Sequence, residues 1–189
     1  QFTIQGTFFS LQQSLAASNM SRVKANLQAQ IDGLKGYNTD YSQWDKTYNF
    51  LTKGDPEYVQ QNIAGSVMDN ADIDNLMIVD LQHQYIAGIG SEPGRVKGYQ
   101  LDYAFPEYAG MVAAKIDKLE SVSFLDIVRT RSGPAFVVSL PILRNDASGP
   151  AVGYLVLVRY LTDSRVERIG LQIGVRFRLL PPNADQLPE

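Results

Sequence analysis

The stretch FLDIVRTRSGPAFVVSLPILRNDASGPAVGYLVLVRYL, from Phe124 to Leu161, decides the fold. Three apolar segments, Phe124 to Arg129, Phe136 to Leu143 and Val152 to Leu161, are cut by two clusters of turn formers. These are Ser132-Gly133-Pro134 and Asn145-Asp146-Ala147-Ser148-Gly149-Pro150. Glycine and proline interrupt regular elements, whereas valine, isoleucine and aromatic residues fit a pleated, buried surface. The stretch therefore predicts three strands in an antiparallel meander.

Upstream, Leu76 to Val79 and Tyr85 to Ile89 flank the polar link Gln82-His83-Gln84 and read as a hairpin. Glycines follow at positions 88, 90, 94 and 98. Pro106 opens a helix with Tyr108, Met111, Val112, Ile116 and Leu119 at helical spacing, expected to cover an edge of the sheet. After the meander, Asp163 is expected to cap a short helix bearing Val166, Ile169 and Ile173, with Gly174 in the left-handed position at its end. Val175 to Leu180 reads as a last strand, stopped by Pro181 and Pro182.

The N-terminal side is helical. Met20, Leu27, Leu34, Tyr41 and Tyr48 recur every seven residues, and Val23, Tyr37, Trp44 and Leu51 fall in the complementary register. This predicts one continuous stripe on a helix about 45 to 50 Å long. Gly33, Gly36 and Asn38 weaken its middle, and Asp40 with Gln43 could cap a restart, so one kinked helix and two stacked ones are both open, and the kink is favoured. Asp55, Pro56 and Glu57 form an N-cap, a first-turn proline and an acidic first turn for a helix that turns Val59, Ile63 and Val67 inward. The expected fold class is α+β: a long N-terminal helix packed on a PAS-like or Cache-like antiparallel sheet of about five strands. It is read as a single domain over 1–189, with a kinked helix over 1–52 and an α+β core over 53–189.

Composition narrows function. Of 189 residues, 44% are hydrophobic, which suits one packed core. A net charge of −3, with 17 scattered Lys and Arg, gives no electrostatic footprint for nucleic acid. The absence of cysteine excludes disulfides and thiolate-bound zinc and agrees with an oxidising compartment. The longest apolar run, Tyr154 to Val158, is interrupted at Arg159 and is too short to span a bilayer. A start at Gln1 without a signal peptide leads us to expect an upstream segment that has been removed.

Catalytic and metal motifs fail one after another. Asn70, Asp72 and Asp74 resemble the start of a calcium loop, but Asn75 and Leu81 occupy the places of its glycine and its bidentate glutamate. Gly88, Gly90 and Gly94 miss the dinucleotide spacing by one residue. Ser21 and Lys24 lack the companion motifs of acylating serine enzymes, and a lone histidine, His83, supports neither a triad nor a histidine-rich metal site. No cofactor and no catalytic residue is expected.

The candidate binding residues are Tyr41, Trp44, Asp45, Tyr48, Arg129 and Arg159. Helical spacing gathers the first four on one face, where stacking, cation–π contact and a charged hydrogen bond could hold an amine or another polar solute. The same spacing suits a core seam, the commoner role of an aromatic stripe. Arg129 and Arg159 lie at strand ends, where a guanidinium can orient a carboxylate or phosphate.

These residues carry a resemblance. Asp40-Tyr41-x-x-Trp44-Asp45-x-Thr47-Tyr48-x-Phe50, then Tyr58 and Asn62, then Asn75-Leu76-x-Ile78-Val79-Asp80, resemble the CHASE family, type four. Ser139-x-Pro141-Ile142-Leu143, Ser148-Gly149-Pro150-x-x-Gly153-Tyr154-Leu155-Val156 and Arg159-Tyr160-Leu161 are similar to its second half. The resemblance implies an extracytoplasmic, periplasmic sensor of a bacterial inner-membrane receptor, flanked by membrane helices absent here. Such domains are attached to histidine kinases, diguanylate cyclases, cyclic-di-GMP phosphodiesterases or chemoreceptors. Family members carry a further strand-rich segment that is not evident after Leu180, so either the C-terminal edge is cut short or this member differs. The expected partners are a small polar solute and a second copy of the chain through the N-terminal helix. The alternative is a dimerisation or protein-interaction module with no small ligand.

Overall fold

The computed structural model describes residues 4–63, 65–91, 99–100, 108 and 124–179. Its strands are β1 (Asn75–Val79), β2 (Tyr85–Gly90), β3 (Tyr99–Gln100), β4 (Phe124–Thr130), β5 (Gly133–Pro141) and β6 (Tyr154–Tyr160). They form one sheet in the order β3-β2-β1-β6-β5-β4. The expected hairpin and meander are both present and antiparallel, and β3 adds two residues to the five longer strands. The two halves are joined by β1 against β6, with Met77 opposite Val156 and Ile78 opposite Leu155. Both faces of the central strands are covered: Met77, Val137 and Val156 on one face and Ile78, Val138 and Leu155 on the other are fully buried. Each such side chain contributes about 1.5–3 kcal/mol of burial. Two-sided burial explains why these strands read as unbroken apolar runs rather than alternating ones.

Helix α1 runs from Ile4 to Ser42 without interruption at Gly33 or Gly36. The break falls later, at Gln43 and Trp44, before α2 (Asp45–Lys53). The expected kink near Asn38 and the Asp40 cap are therefore corrected: packing overrides the weak helix propensity of the glycines, as burial of Ile31, Leu34 and Asn38 on the same face shows. The buried stripe also differs from the heptad reading. Val23, Ile31, Leu34, Asn38 and Ser42 are buried, whereas Met20 is 56% exposed and Tyr41 only half-buried.

Asp55 accepts from the Glu57 N–H at 3.0 Å, but this bond closes a turn ahead of the helix: Glu57 is the N-cap of α3 (Tyr58–Asn62), so the expected Asp55 cap and first turn of Pro56 and Glu57 are corrected, and α4 (Gly65–Ala71) follows as a separate helix. Tyr58, Ile63 and Val67 are buried, and Val59 is half-buried. Of the helix expected from Pro106, Tyr108 is helical and buried, while Pro106, Met111, Val112, Ile116 and Leu119 lie outside the described residues.

The chain divides into two compact units, Ile31–Leu161 and a second made of Gln1–Gln30 with Thr162–Glu189. In the second, α5 spans Asp163–Ile173. Its N-cap is Thr162, whose hydroxyl accepts from the Arg165 N–H at 3.4 Å, so the cap lies one residue before the expected Asp163. Gly174 takes the left-handed conformation with φ 65° and ψ 30°, as expected. The Arg22 guanidinium donates to the Ile173 carbonyl. Residues 175–179 alternate between half-buried and exposed but pair with no strand, so the expected last strand is absent among them. Alternation alone does not make a strand where no ladder partner is at hand. Leu180, Pro181 and Pro182 lie outside the described residues.

Candidate functional site

The break between α1 and α2 gathers four of the six predicted residues. Trp44 leaves the helical region, with φ −129° and ψ 125°, and offers no side-chain cap to α2. The cap comes from the β5–β6 loop instead: the Asn145 side-chain oxygen accepts the Asp45 N–H at 2.8 Å, and Asp45 Oδ1 accepts the Asn145 N–H at 3.1 Å. Each residue thereby satisfies a main-chain donor of the other. Two residues earlier in the loop, the Leu143 N–H donates to the Ser42 carbonyl at 2.9 Å, closing the end of α1.

Around this junction the aromatic side chains form a chain of contacts. Tyr37 meets Tyr41 at 5.4 Å, Tyr41 meets Trp44 edge-on at 6.1 Å, and Trp44 meets Tyr58 at 6.4 Å, while Tyr58 stacks on Phe50 at 4.7 Å. Burial drives the Tyr58 hydroxyl, which shares a 2.6 Å hydrogen bond with Thr47, up to about 12. The Tyr37 hydroxyl, raised by burial as well, donates to the Val67 carbonyl at 3.0 Å. Two cations sit over rings here: Lys46 Nζ lies 5.1 Å from the centre of the Trp44 ring, and the Arg144 guanidinium 4.4 Å from that of Tyr48.

Deeper in, Asn38 is fully buried and its amide donates to the Val138 carbonyl at 3.1 Å and the Leu155 carbonyl at 2.9 Å. One side chain thus ties the end of α1 to β5 and β6 together. Asn38 Oδ1 and Ser42 Oγ, one helical turn apart, are buried without a hydrogen-bond partner among the described residues.

The two arginines do not join this group. Arg159 sits opposite Phe136, five residues along β6 from Tyr154, and so about 17 Å from the end of the ladder that leads to Asn145. Its guanidinium donates to the Asp72 carbonyl at 2.7 Å and the Ala71 carbonyl at 2.6 Å, holding the end of α4, where Asp72 takes a left-handed φ of 50°. Arg129 lies on the edge strand β4 opposite Pro134, at that same far end, and is exposed.

A second polar cluster stands on the sheet. His83, in the β1–β2 link at φ 60°, stacks on Tyr154 at 4.6 Å with ring planes 15° apart, and its Nδ1 lies 3.1 Å from the Tyr108 hydroxyl. Sequence reading had placed His83 in a turn and had not paired it. Asn38, Arg144 and Asn145 were missed too, although Asn38 stands four residues after Leu34 and seven after Ile31, a spacing that marks the inward face.

The profile of the CHASE4 domain family matches residues 26–180. The chain belongs to the CHASE4 family. CHASE4 domains sense; they are not enzymes. No curated protein matches this CHASE4 chain by sequence alone. Among solved structures it is similar to the ligand-binding domain of the Campylobacter jejuni chemoreceptor Tlp3 in complex with L-valine. That match has 10% identity over 90% of this chain and 64% of that chain, with a TM-score of 0.54. The sensory domain of the same receptor gives 11% identity over 88% and 64%, with a TM-score of 0.56. A domain of a sensory box/GGDEF family protein from Vibrio parahaemolyticus gives 15% identity over 77% and 59%, with a TM-score of 0.53. The chain therefore spans less than two thirds of the length of each. At such identities the likeness is one of fold, a Cache-like and PAS-like sheet behind a long N-terminal helix. Among the described residues no helix is long and apolar enough to cross a membrane, and no group of three or more acidic or histidine side chains is placed to hold a metal.

Proposed function

We propose that this CHASE4 domain is the extracytoplasmic, periplasmic sensing part of a bacterial transmembrane receptor, with a diguanylate cyclase, phosphodiesterase or histidine kinase as its output. It binds a small polar solute carrying an amino group at the α1–α2 junction, through Tyr41, Trp44, Asp45 and Tyr48. The observation that carries this reading is the Lys46 ammonium held 5.1 Å over the Trp44 ring. The indole face is receptive to a cation, and Lys46 occupies it. The chemoreceptor domain of similar fold is in complex with L-valine, a small solute that carries an amino group. Arg129 and Arg159, at the far end of the sheet, act on the fold or on a separate contact. Because Asn38 ties the end of α1 to the sheet and Asn145 holds the start of α2, a solute that favours one arrangement of this junction shifts the setting of the end of α1.

The test is a thermal-shift screen of amino acids, polyamines and organic acids against the domain and its Lys46→Gln variant. A solute with an amino group should raise the Tm, and removal of the competing Lys46 should tighten its binding several-fold. Stabilisation by organic acids alone, or a hit indifferent to Lys46→Gln, would contradict the site.

A second reading is a homodimer through the N-terminal helix, favoured by Leu15 and Met20, which stand 61% and 56% exposed on α1. Sedimentation of the domain and of Met20→Asp separates the readings, since only a dimer through α1 would dissociate on that substitution.

A further inference from the structure

We propose that His83 is a proton sensor: its imidazole joins the β1–β2 link to Tyr108 and Tyr154, and acidification weakens that join. The geometry is specific. The ring lies flat on Tyr154, a residue of the buried cluster that includes Met77, Val79 and Val156, while its Nδ1 shares a hydrogen bond with the Tyr108 hydroxyl. Tyr108 is 1% exposed, and burial pushes its hydroxyl up to about 12, so it remains a phenol throughout the range in which histidine titrates. With its neutral proton on Nε2, the imidazole accepts from that phenol at Nδ1. A proton on Nδ1 turns the acceptor into a donor, so the hydroxyl has to give up its donation and turn.

The link itself is rigid around the ring. Asp80 accepts from the Gln82 and Gln84 N–H groups at 2.9 and 2.8 Å, and its own carbonyl accepts the His83 N–H at 3.0 Å. Among the described residues the titratable groups that meet it are Asp80 of the link, Tyr85 of β2 through the shared cluster, Tyr108 and Tyr154. Burial lowers the His83 pKa below its ordinary 6.5, and the negative charge of Asp80 acts in the opposite sense without reversing it.

The sign follows from linkage. With a folded pKa below the unfolded one, the unfolded chain binds the proton more readily, so the His83 contribution to stability is complete above about pH 6.5. It is lost as pH falls from there towards the folded pKa. This response needs no solute and is independent of the function proposed above.

The chain has a single histidine, so its imidazole Cε1–H gives one NMR resonance that can be followed from pH 8 to 4. The expected midpoint lies below 6.5, the Tyr108 ring signals shift with the same midpoint, and Tyr108→Phe moves that midpoint upward. In parallel, the Tm of the native domain should fall relative to that of His83→Phe between pH 7.5 and 5.5. A midpoint at or above 6.5, or Tyr108 signals and a Tyr108→Phe midpoint that do not respond, would overturn the proposal.

Discussion

Asp45 and Asn145 exchange hydrogen bonds across 100 residues of sequence, each side-chain oxygen receiving the other's main-chain N–H, at 2.8 and 3.1 Å. The pair fixes the point where α1 stops and α2 starts, and it sets the β5–β6 loop against the helices. Both bonds are solvent-accessible, so each contributes at the modest end of the range. A double-mutant cycle of Asp45→Ala and Asn145→Ala in urea denaturation should give a coupling energy of about 1 kcal/mol. Additive losses would show that the two residues act separately.

Asn38 carries more. Its amide is fully buried and binds carbonyls of two strands, so Asn38→Ala removes two hydrogen bonds and leaves a small void. A loss of about 2–3 kcal/mol is expected, read as a lower urea midpoint with an unchanged m-value. Asn38→Leu fills the volume but not the bonds, and should recover less than half of that loss.

Three glycines answer differently to alanine. At Gly33 and Gly36, in the interior of α1, an added Cβ meets nothing within 4 Å, so each substitution should stabilise the domain by about 0.5–1 kcal/mol. At Gly153 the same Cβ would stand 2.4 Å from the Val79 carbonyl oxygen and 2.7 Å from Leu51 Cδ1. There β6, β1 and α2 approach too closely for a side chain, and Gly153→Ala should cost about 1–3 kcal/mol. Differential scanning calorimetry of the three variants checks the opposite signs.

Arg159 is a structural tie in this account. Its fork reaches two successive carbonyls at the end of α4, a geometry that a single ammonium does not reproduce. Arg159→Lys should cost about 1–2 kcal/mol in stability and leave solute binding at Trp44 unchanged. A variant of full stability that loses a solute response would move Arg159 into the binding site.

The strands were legible because they are buried on both faces: Phe136 to Leu140 and Tyr154 to Val158 admit few readings other than central strands. The stripe on α1 was legible only in part. Its inward face is carried at Asn38 and Ser42 by polar residues, so the apolar heptad drew attention to Tyr41 and Tyr48 instead. The helical spacing of Tyr41, Trp44, Asp45 and Tyr48 did not reveal the break at Gln43 and Trp44 that divides them between two helices, nor the partners from the β5–β6 loop. Nothing local in Arg144-Asn145 shows that a loop 100 residues away will cap a helix. The displacement of Arg159 from this group follows from strand register, which only the assembled sheet supplies. His83 looked like a turn residue because its stacking partner, Tyr154, comes 71 residues later, in another strand.

Trp44 is the only tryptophan of the chain and stands in the proposed site, so its fluorescence reports binding there without a label. Titration with the amino-group solutes of the screen should change its emission saturably. The same solute should raise the Tm by about 5–10 °C at a hundredfold excess over Kd. An unchanged Trp44 emission with every solute, in the native domain and in Lys46→Gln alike, would contradict solute sensing at the α1–α2 junction.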